Sequence, residues 1–272
     1  LTSKLDLSGA QSNPGGGHPA YGRLRQVTDT AAVLLCHNPG PLTLEGTNTW
    51  VLRAPGNPEC VVVDPGPDDD EHIARLAGLG RIAVVLISHR HGDHTYGIDK
   101  LVDASGAVVR SVGSGFLRGR GGYLRDGEMI EAAGLRIGVL STPGHTADSM
   151  SFVLDDAVLT ADTVLGRGTA VIDAEDGSLA DYLHSLRRLR GLGARMVLPG
   201  HGPELADVGA VADVYLAHRQ ERLEQVRSAL RVLGDDATPR QVVEHVYADV
   251  DTTLWDAAES SVRAQLDYLR RD

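Results

Sequence analysis

The chain has 272 residues, 42% of them hydrophobic and 23% charged, with a formal net charge of −11. Such a length builds one large domain, or a large one with a small appendage, and the charge argues against a broad basic face for polyanions. No apolar run is long enough to span a bilayer, and no basic stretch followed by an apolar one marks a secretory leader in a chain that begins at Leu1.

Residues 1–22 are rich in Ser, Gly and Pro and read as a flexible lead-in. Short β-rich runs follow at Ala31–His37, Thr49–Arg53 and Cys60–Asp64, separated by Pro-Gly turns. Cys36 and Cys60 lie in these apolar runs and read as small buried hydrophobes, which suits a reducing cytoplasm. Glu71–Leu79 has helical spacing, and Ile82–Ser88 is a continuous apolar run of the kind buried on both sheet faces. A helix is expected at Thr95–Ala104 and a strand at Ala107–Val112. The Gly- and Arg-rich stretch 113–127 reads as a surface loop, with Arg118, Arg120 and Arg125 either a solvated lid or contacts for a phosphate or carboxylate. Four strands are expected at Glu128–Ala133, Leu135–Ser141, Ser149–Leu154 and Ala157–Thr160. A helix at Leu179–Leu192 and a buried strand at Met196–Leu198 complete the series. Beyond about Val208 the pattern turns helical, with Thr238 as an N-cap before Pro239 and a last helix near Ala257–Leu269. The expected division is a lead-in at 1–22, an α/β domain at 23–206 and a helical domain at 207–272.

The chemistry is concentrated in Ser-His-Arg-His-Gly-Asp-His at 88–94, which holds three of the chain's eleven histidines. His89 and His91 are two apart, so they share a side in extended chain and diverge on a helix. The motif therefore belongs at the end of the strand before it. Gly92 allows a turn that brings Asp93 and His94 back toward the first pair. His145 in Thr-Pro-Gly-His-Thr, Asp162 in Ala-Asp-Thr and His201 in Pro-Gly-His-Gly each follow an apolar run. That is where open αβ architectures bind ligands. A single histidine in such a loop is more often a surface group than a ligand. Four ligand types within six residues are hard to explain by packing, and they raise the standing of the other three.

These motifs, in this order, resemble the metallo-beta-lactamase superfamily over roughly residues 25–205. The resemblance implies a four-layer αββα sandwich with two divalent ions at one edge. It implies one ion on His89, His91 and His145, the other on Asp93, His94 and His201, and Asp162 bridging them. Mixed imidazole and carboxylate ligands suit zinc. The stretch 38–50, with His218–Arg222 and 238–247, resembles the beta-lactamase-like protein 2 group, whose tail is winged-helix-like and of which a eukaryotic branch cleaves single-stranded RNA.

The reading favoured from sequence is a hydrolase using a bridging hydroxide, acting as an endoribonuclease or phosphodiesterase on single-stranded RNA. The alternative is a hydrolase of a small thioester, ester or lactam. Asp93 is the candidate to orient the nucleophile and pass a proton to the leaving group. Asp64 and Thr146 are candidates to accept from ligand histidines, and Asn48 to contact substrate. A cytoplasmic enzyme, with a homodimer as its assembly, is the expectation.

Overall fold

The computed structural model describes residues 20–173, 175–248 and 251–270; the expected lead-in lies outside them up to residue 19. The first half of the chain forms a six-stranded sheet in sequential order. Its strands are β1 (Leu24–Gln26), β2 (Ala31–Leu35), β3 (Asn48–Leu52), β4 (Glu59–Val63), β5 (Arg81–Leu86) and β6 (Val109–Arg110). The first four pair antiparallel, while β4, β5 and β6 run parallel. Parallel neighbours need crossovers. These are α1 (Asp70–Ala77) and then α2 (Gly92–Thr95) with α3 (Ile98–Ser105). The single helix expected at Thr95–Ala104 is broken at Gly97. A Cβ there would stand 2.7 Å from Ile73 Cδ1 and 3.0 Å from Pro67 O, so a larger residue would make its neighbours shift.

The second half forms a five-stranded sheet from β7 (Met129–Ala132), β8 (Leu135–Ser141), β9 (Met150–Val153), β10 (Ala157–Ala161) and β11 (Met196–Pro199). The spatial order is β11-β10-β9-β8-β7. Only β10 and β11 are parallel, joined through α4 (Leu179–Arg190).

Side chains alternate across a strand, and the burial follows. Val33, Trp50, Leu52, Val61, Val63, Val84 and Leu86 of the first sheet meet Ile137, Val139, Phe152, Ala157 and Leu159 of the second. The opposite faces bury Val51, Cys60, Val62 and Val85 under α1 and α3, and Val158 and Val197 under α4. Both cysteines are buried and free, and burial lifts the Cys36 thiol to about 12. The result is the expected αββα order of layers. Each such aliphatic burial contributes about 1.5–3 kcal/mol, and the core holds few aromatics beyond Trp50, Phe152 and Tyr182. Sequence patterning missed β1, whose three residues are exposed on a sheet edge and carry no apolar run.

The C-terminal region is α5 (Val208–Leu233), α6 (Pro239–Val246) and α7 (Trp255–Leu269). Asp207 caps α5, and Thr238 with Gln241 forms a reciprocal capping box at α6, with Pro239 in its first turn. The first turns of α5 pack on α4 through Val208 and Tyr215. Its later turns bury Val226 and Ala229 against Val242, Val243, Val262 and Leu266. One helix thus serves two cores. Val214 belongs to neither and is 45% exposed.

Candidate metal centre

β5, β8, β10 and β11 end at one edge of the sandwich, and each hands a ligand-type residue to the loop beyond. After β5 the chain bends at Arg90, and His91 stands at the N-terminus of the single turn of α2 with φ −62° and ψ 144°. Asp93 and His94 lie on that turn and face back toward His89. His89, His91, His145 and Asp162 offer atoms within 4.8 Å of one another, and so do Asp93, His94 and His201.

His91 Nδ1 stands 3.1 Å from His89 Nε2 and 3.0 Å from His145 Nε2. His94 Nε2 is 3.2 Å from His201 Nε2. Asp162 lies between the two groups. Its Oδ1 is 3.5 Å from His94 Nε2, and its Oδ2 is 3.4 Å from His201 Nε2 and 3.8 Å from His145 Nε2. Asp93 Oδ2 is 3.1 Å from His201 Nε2 and 3.4 Å from His94 Nε2.

The outer nitrogen of every imidazole faces an oxygen. His145 Nδ1 donates to Val171 O at 2.6 Å and His201 Nδ1 to Gly46 O at 3.1 Å. His91 Nε2 donates to Asp173 Oδ2 at 2.6 Å, and His94 Nδ1 to Asp64 Oδ2 at 3.0 Å. His89 Nδ1 donates to Ser88 Oγ at 2.9 Å, while that hydroxyl donates to Asp64 Oδ2 at 2.6 Å. These acceptors fix the tautomers, so the inner nitrogens turn lone pairs toward one another. Paired lone pairs at such distances repel unless a cation stands among them. Asp162 Oδ1 is buried and has no hydrogen-bond partner among the described residues. Both observations fit divalent ions held by imidazole nitrogen and carboxylate oxygen.

The titration tendencies agree. Burial would raise the Asp162 carboxyl, but His201 and His94 outweigh it and hold the group well below the usual range. Burial would likewise raise Asp93, yet His94 and His201 bring it to about 2. Burial lowers His94 and His201, and in both cases the carboxylates reverse the sign, with Asp162 the leading contributor. Burial wins at His89 and His145, which fall below the ordinary imidazole value. The carboxylates therefore draw positive charge to the middle of the site.

The backbone is bent to make this geometry. Asp64 and Ala161 adopt φ of 55° and 46°, a conformation costing roughly 1–2 kcal/mol for a non-glycine residue. Gly200 is required by close approach, since a Cβ there would lie 2.4 Å from Asp162 Oδ1.

A family model of the metallo-beta-lactamase superfamily matches residues 42–201, a span holding all seven of these side chains. The chain belongs to that superfamily. A second model, of the beta-lactamase associated winged helix domain, matches residues 238–272. The Beta-lactamase-like protein 2 homolog of Caenorhabditis elegans is 32% identical over 265 residues, 92% of this chain and 87% of that protein. The atrochrysone carboxyl ACP thioesterase of Aspergillus chevalieri is 33% identical over 249 residues, 85% of this chain and 78% of its own. A crystal structure of a metallo-beta-lactamase family protein from Thermus thermophilus superposes with a TM-score of 0.75 at 25% identity. It covers 90% of this chain and 95% of that one. In this superfamily member the tail is helical throughout α5, α6 and α7, and among the described residues no strand follows them.

Not every residue singled out in the sequence does what was expected. Asp64 is where it was placed, accepting from His94. It is not itself available as a ligand, because Ser88 N and Oγ occupy its oxygens together with His94. Thr146 misses the imidazoles; its hydroxyl bonds Asp148 at 2.8 Å and Ser149 at 2.7 Å, bracing the turn that carries His145. Asn48 donates both amide hydrogens to the loop of His201, to Pro199 O at 3.0 Å and Gly202 O at 2.9 Å. Arg118 is likewise engaged, with Asp99 at 2.6 Å. Two contributors were missed. Ser88 stood inside the opening motif, and its position beside a ligand histidine was the available signal. Asp173, in Ala-Val-Ile-Asp-Ala-Glu-Asp, has no motif around it and reaches His91 only through the tertiary fold.

Proposed function

We propose that this superfamily member is a dinuclear, zinc-dependent hydrolase of small carbonyl substrates, with acyl thioesters foremost. The observation that carries the metal reading is the convergence of tautomer-fixed imidazole lone pairs on the unpartnered carboxylate oxygen of Asp162. His89, His91 and His145 would hold one ion, Asp93, His94 and His201 the other, and Asp162 both. Bound there, the pair supplies a nucleophile at neutral pH and a Lewis acid for the carbonyl oxygen.

The chain's own residues do the rest. The Asp93 side chain is 28% exposed, the most open of the carboxylates at the centre, so it meets an entering substrate. Its Oδ2 is 3.4 Å from Thr47 Oγ1, which holds the carboxylate in place. Asp93 accepts the hydrogen bond of the nucleophile and so aims it. From there it can carry the nucleophile's proton to the leaving thiolate or alkoxide. Asp64 and Ser88 keep His89 and His94 in the ligating tautomer.

Three facts support a small acyl substrate over RNA. The net charge is −11, one arginine of the 113–127 loop is tied to Asp99, and a relative at 33% identity is named a thioesterase. Cleavage of single-stranded RNA is the second reading, favoured by the winged-helix match at 238–272.

The test is turnover of a thioester panel, single-stranded RNA and a chromogenic lactam by zinc-loaded protein, with and without chelator. Chelator-sensitive thioester hydrolysis is expected; RNA cleavage without it would transfer the proposal to the second reading. Activity indifferent to chelator would end the metal reading. Asp93→Ala should lower turnover by about 10²–10⁴-fold, measured at saturating zinc with the bound metal quantified.

A further inference from the structure

We propose that the C-terminal helices position the metal centre through the segment 165–173, with Arg219 as the principal positioning residue. The inference rests on the metal reading above and adds a role for the tail that no substrate contact is needed to explain.

The segment 165–173 has no regular secondary structure of its own, yet it is bonded on both sides. Toward the site, Val171 O accepts from His145 Nδ1 at 2.6 Å and Asp173 Oδ2 from His91 Nε2 at 2.6 Å. Asp173 N donates to His145 O at 2.9 Å, and Gly166 N to His201 O at 2.9 Å. Toward the tail, Tyr215 of α5 donates to Gly168 O at 2.9 Å and accepts from Leu165 N at 3.1 Å. Arg219 of α5 donates to Ala170 O. From α7, Ser260 Oγ donates to Ile172 O at 2.5 Å, and Ser261 Oγ accepts from Ile172 N at 3.5 Å.

The alternation is that of an extended chain, in which successive carbonyls point to opposite sides. Ala170 and Ile172 face the tail, and Val171 with Asp173 face the histidines. A shift of Ala170 or Ile172 therefore moves the acceptors that orient His145 and His91. Those acceptors set which nitrogen of each ring carries the lone pair.

Arg219 is an unusual residue for this task. It is 3% exposed and has no ion pair among the described residues. Its guanidinium lies 4.8 Å from the centroid of the Tyr182 ring, whose hydroxyl donates to Thr163 O at 2.6 Å, one residue past Asp162. A buried cation without a carboxylate is costly unless its donors are placed well. Here one donor goes to the Ala170 carbonyl and the plane rests on the aromatic face. The same residue therefore steadies the segment that orients His145 and the segment that follows Asp162.

The test uses the full chain. Arg219→Met keeps most of the volume and removes the donor, Arg219→Lys keeps the charge, and Ser260→Ala removes one exterior bond. Zinc affinity is measured by competition with a chromogenic chelator, and amide hydrogen exchange is followed over 165–173. We expect Arg219→Met to weaken zinc binding several-fold, less than the roughly 10–100-fold cost of losing a partner bonded directly to a ligand, with faster exchange confined to 165–173. Arg219→Lys should recover part of the affinity, and Ser260→Ala should weaken it less. A folded Arg219→Met protein with wild-type zinc affinity and wild-type exchange overturns the proposal. If that variant does not fold, Ser260→Ala decides, and wild-type affinity and exchange in it overturn the proposal equally. Wild-type protein that binds no divalent ion would instead overturn the metal reading, and this inference with it.

Discussion

His94 and His201 are fastened from within the β-sandwich, whereas His91 and His145 are fastened by a segment outside it. On the inner side, the acceptors are Asp64, at the end of a buried strand, and Gly46 O beside β3. Asp64 is itself held by Ser88 N at 2.8 Å and Ser88 Oγ at 2.6 Å. On the outer side, the acceptors are Val171 O and Asp173, carried on a segment whose other face depends on α5 and α7. Identical ligands thus have supports of different stiffness. The inner set is as rigid as the core, and the outer set is only as rigid as the docking of the tail.

The largest expected effect is one that ignores the difference. Asp162 touches both sets, so Asp162→Ala should abolish binding of both ions and lower turnover beyond the roughly 10–100-fold typical of outer partners. Metal content after gel filtration measures it. Retention of one full equivalent would show that the sets are independent.

Acid should act first on the inner side. Thr49 Oγ1 donates to Asp64 O at 2.7 Å and lies 2.9 Å from His72 Nε2. Burial lowers the pKa of His72 to about 4. The unfolded chain, with an ordinary imidazole near 6.5, then binds the proton more readily than the native state. Stability from this group is therefore full above about pH 6.5 and falls as pH drops toward 4. The loss is about 3 kcal/mol once both states are protonated. His72→Gln should flatten that part of a denaturant-midpoint profile, and an unchanged slope would remove His72 from the account.

The comparison itself is tested by Asp64→Asn against Asp173→Asn. The first strikes a buried acceptor, and zinc affinity should fall about 10–100-fold. The second strikes the partner of the partly exposed His91, where water can replace the carboxylate, and the loss should stay under about 10-fold. Equal losses, or the reverse order in chelator competition, would break the distinction between the sets.

How far the sequence revealed this follows the same division. His89, Asp93 and His94 sit in one contiguous motif after an apolar run, so their meeting follows from local geometry. Asp64 was legible because it ends an apolar strand-like run, and the family resemblance pointed the same way. Asp173 was not, since its contact with His91 spans 82 positions and depends on how the tail presses the segment into place. The bonds of Asn48 were hidden for a related reason, since only the tertiary fold brings the loop of His201 to its amide. β1 escaped notice because an exposed edge strand is held by backbone pairing, which leaves no hydrophobic trace.

The ligands come from both sheets. His89, His91, Asp93 and His94 follow β5 of the first, and His145, Asp162 and His201 follow strands of the second. During folding, neither half of the chain can assemble the centre alone, and the contacts that complete it join residues far apart in sequence. Such contacts carry a loop-closure cost. Acquisition of metal therefore reports the mating of the two sheets. Time-resolved binding of zinc would date that event without any engineered label.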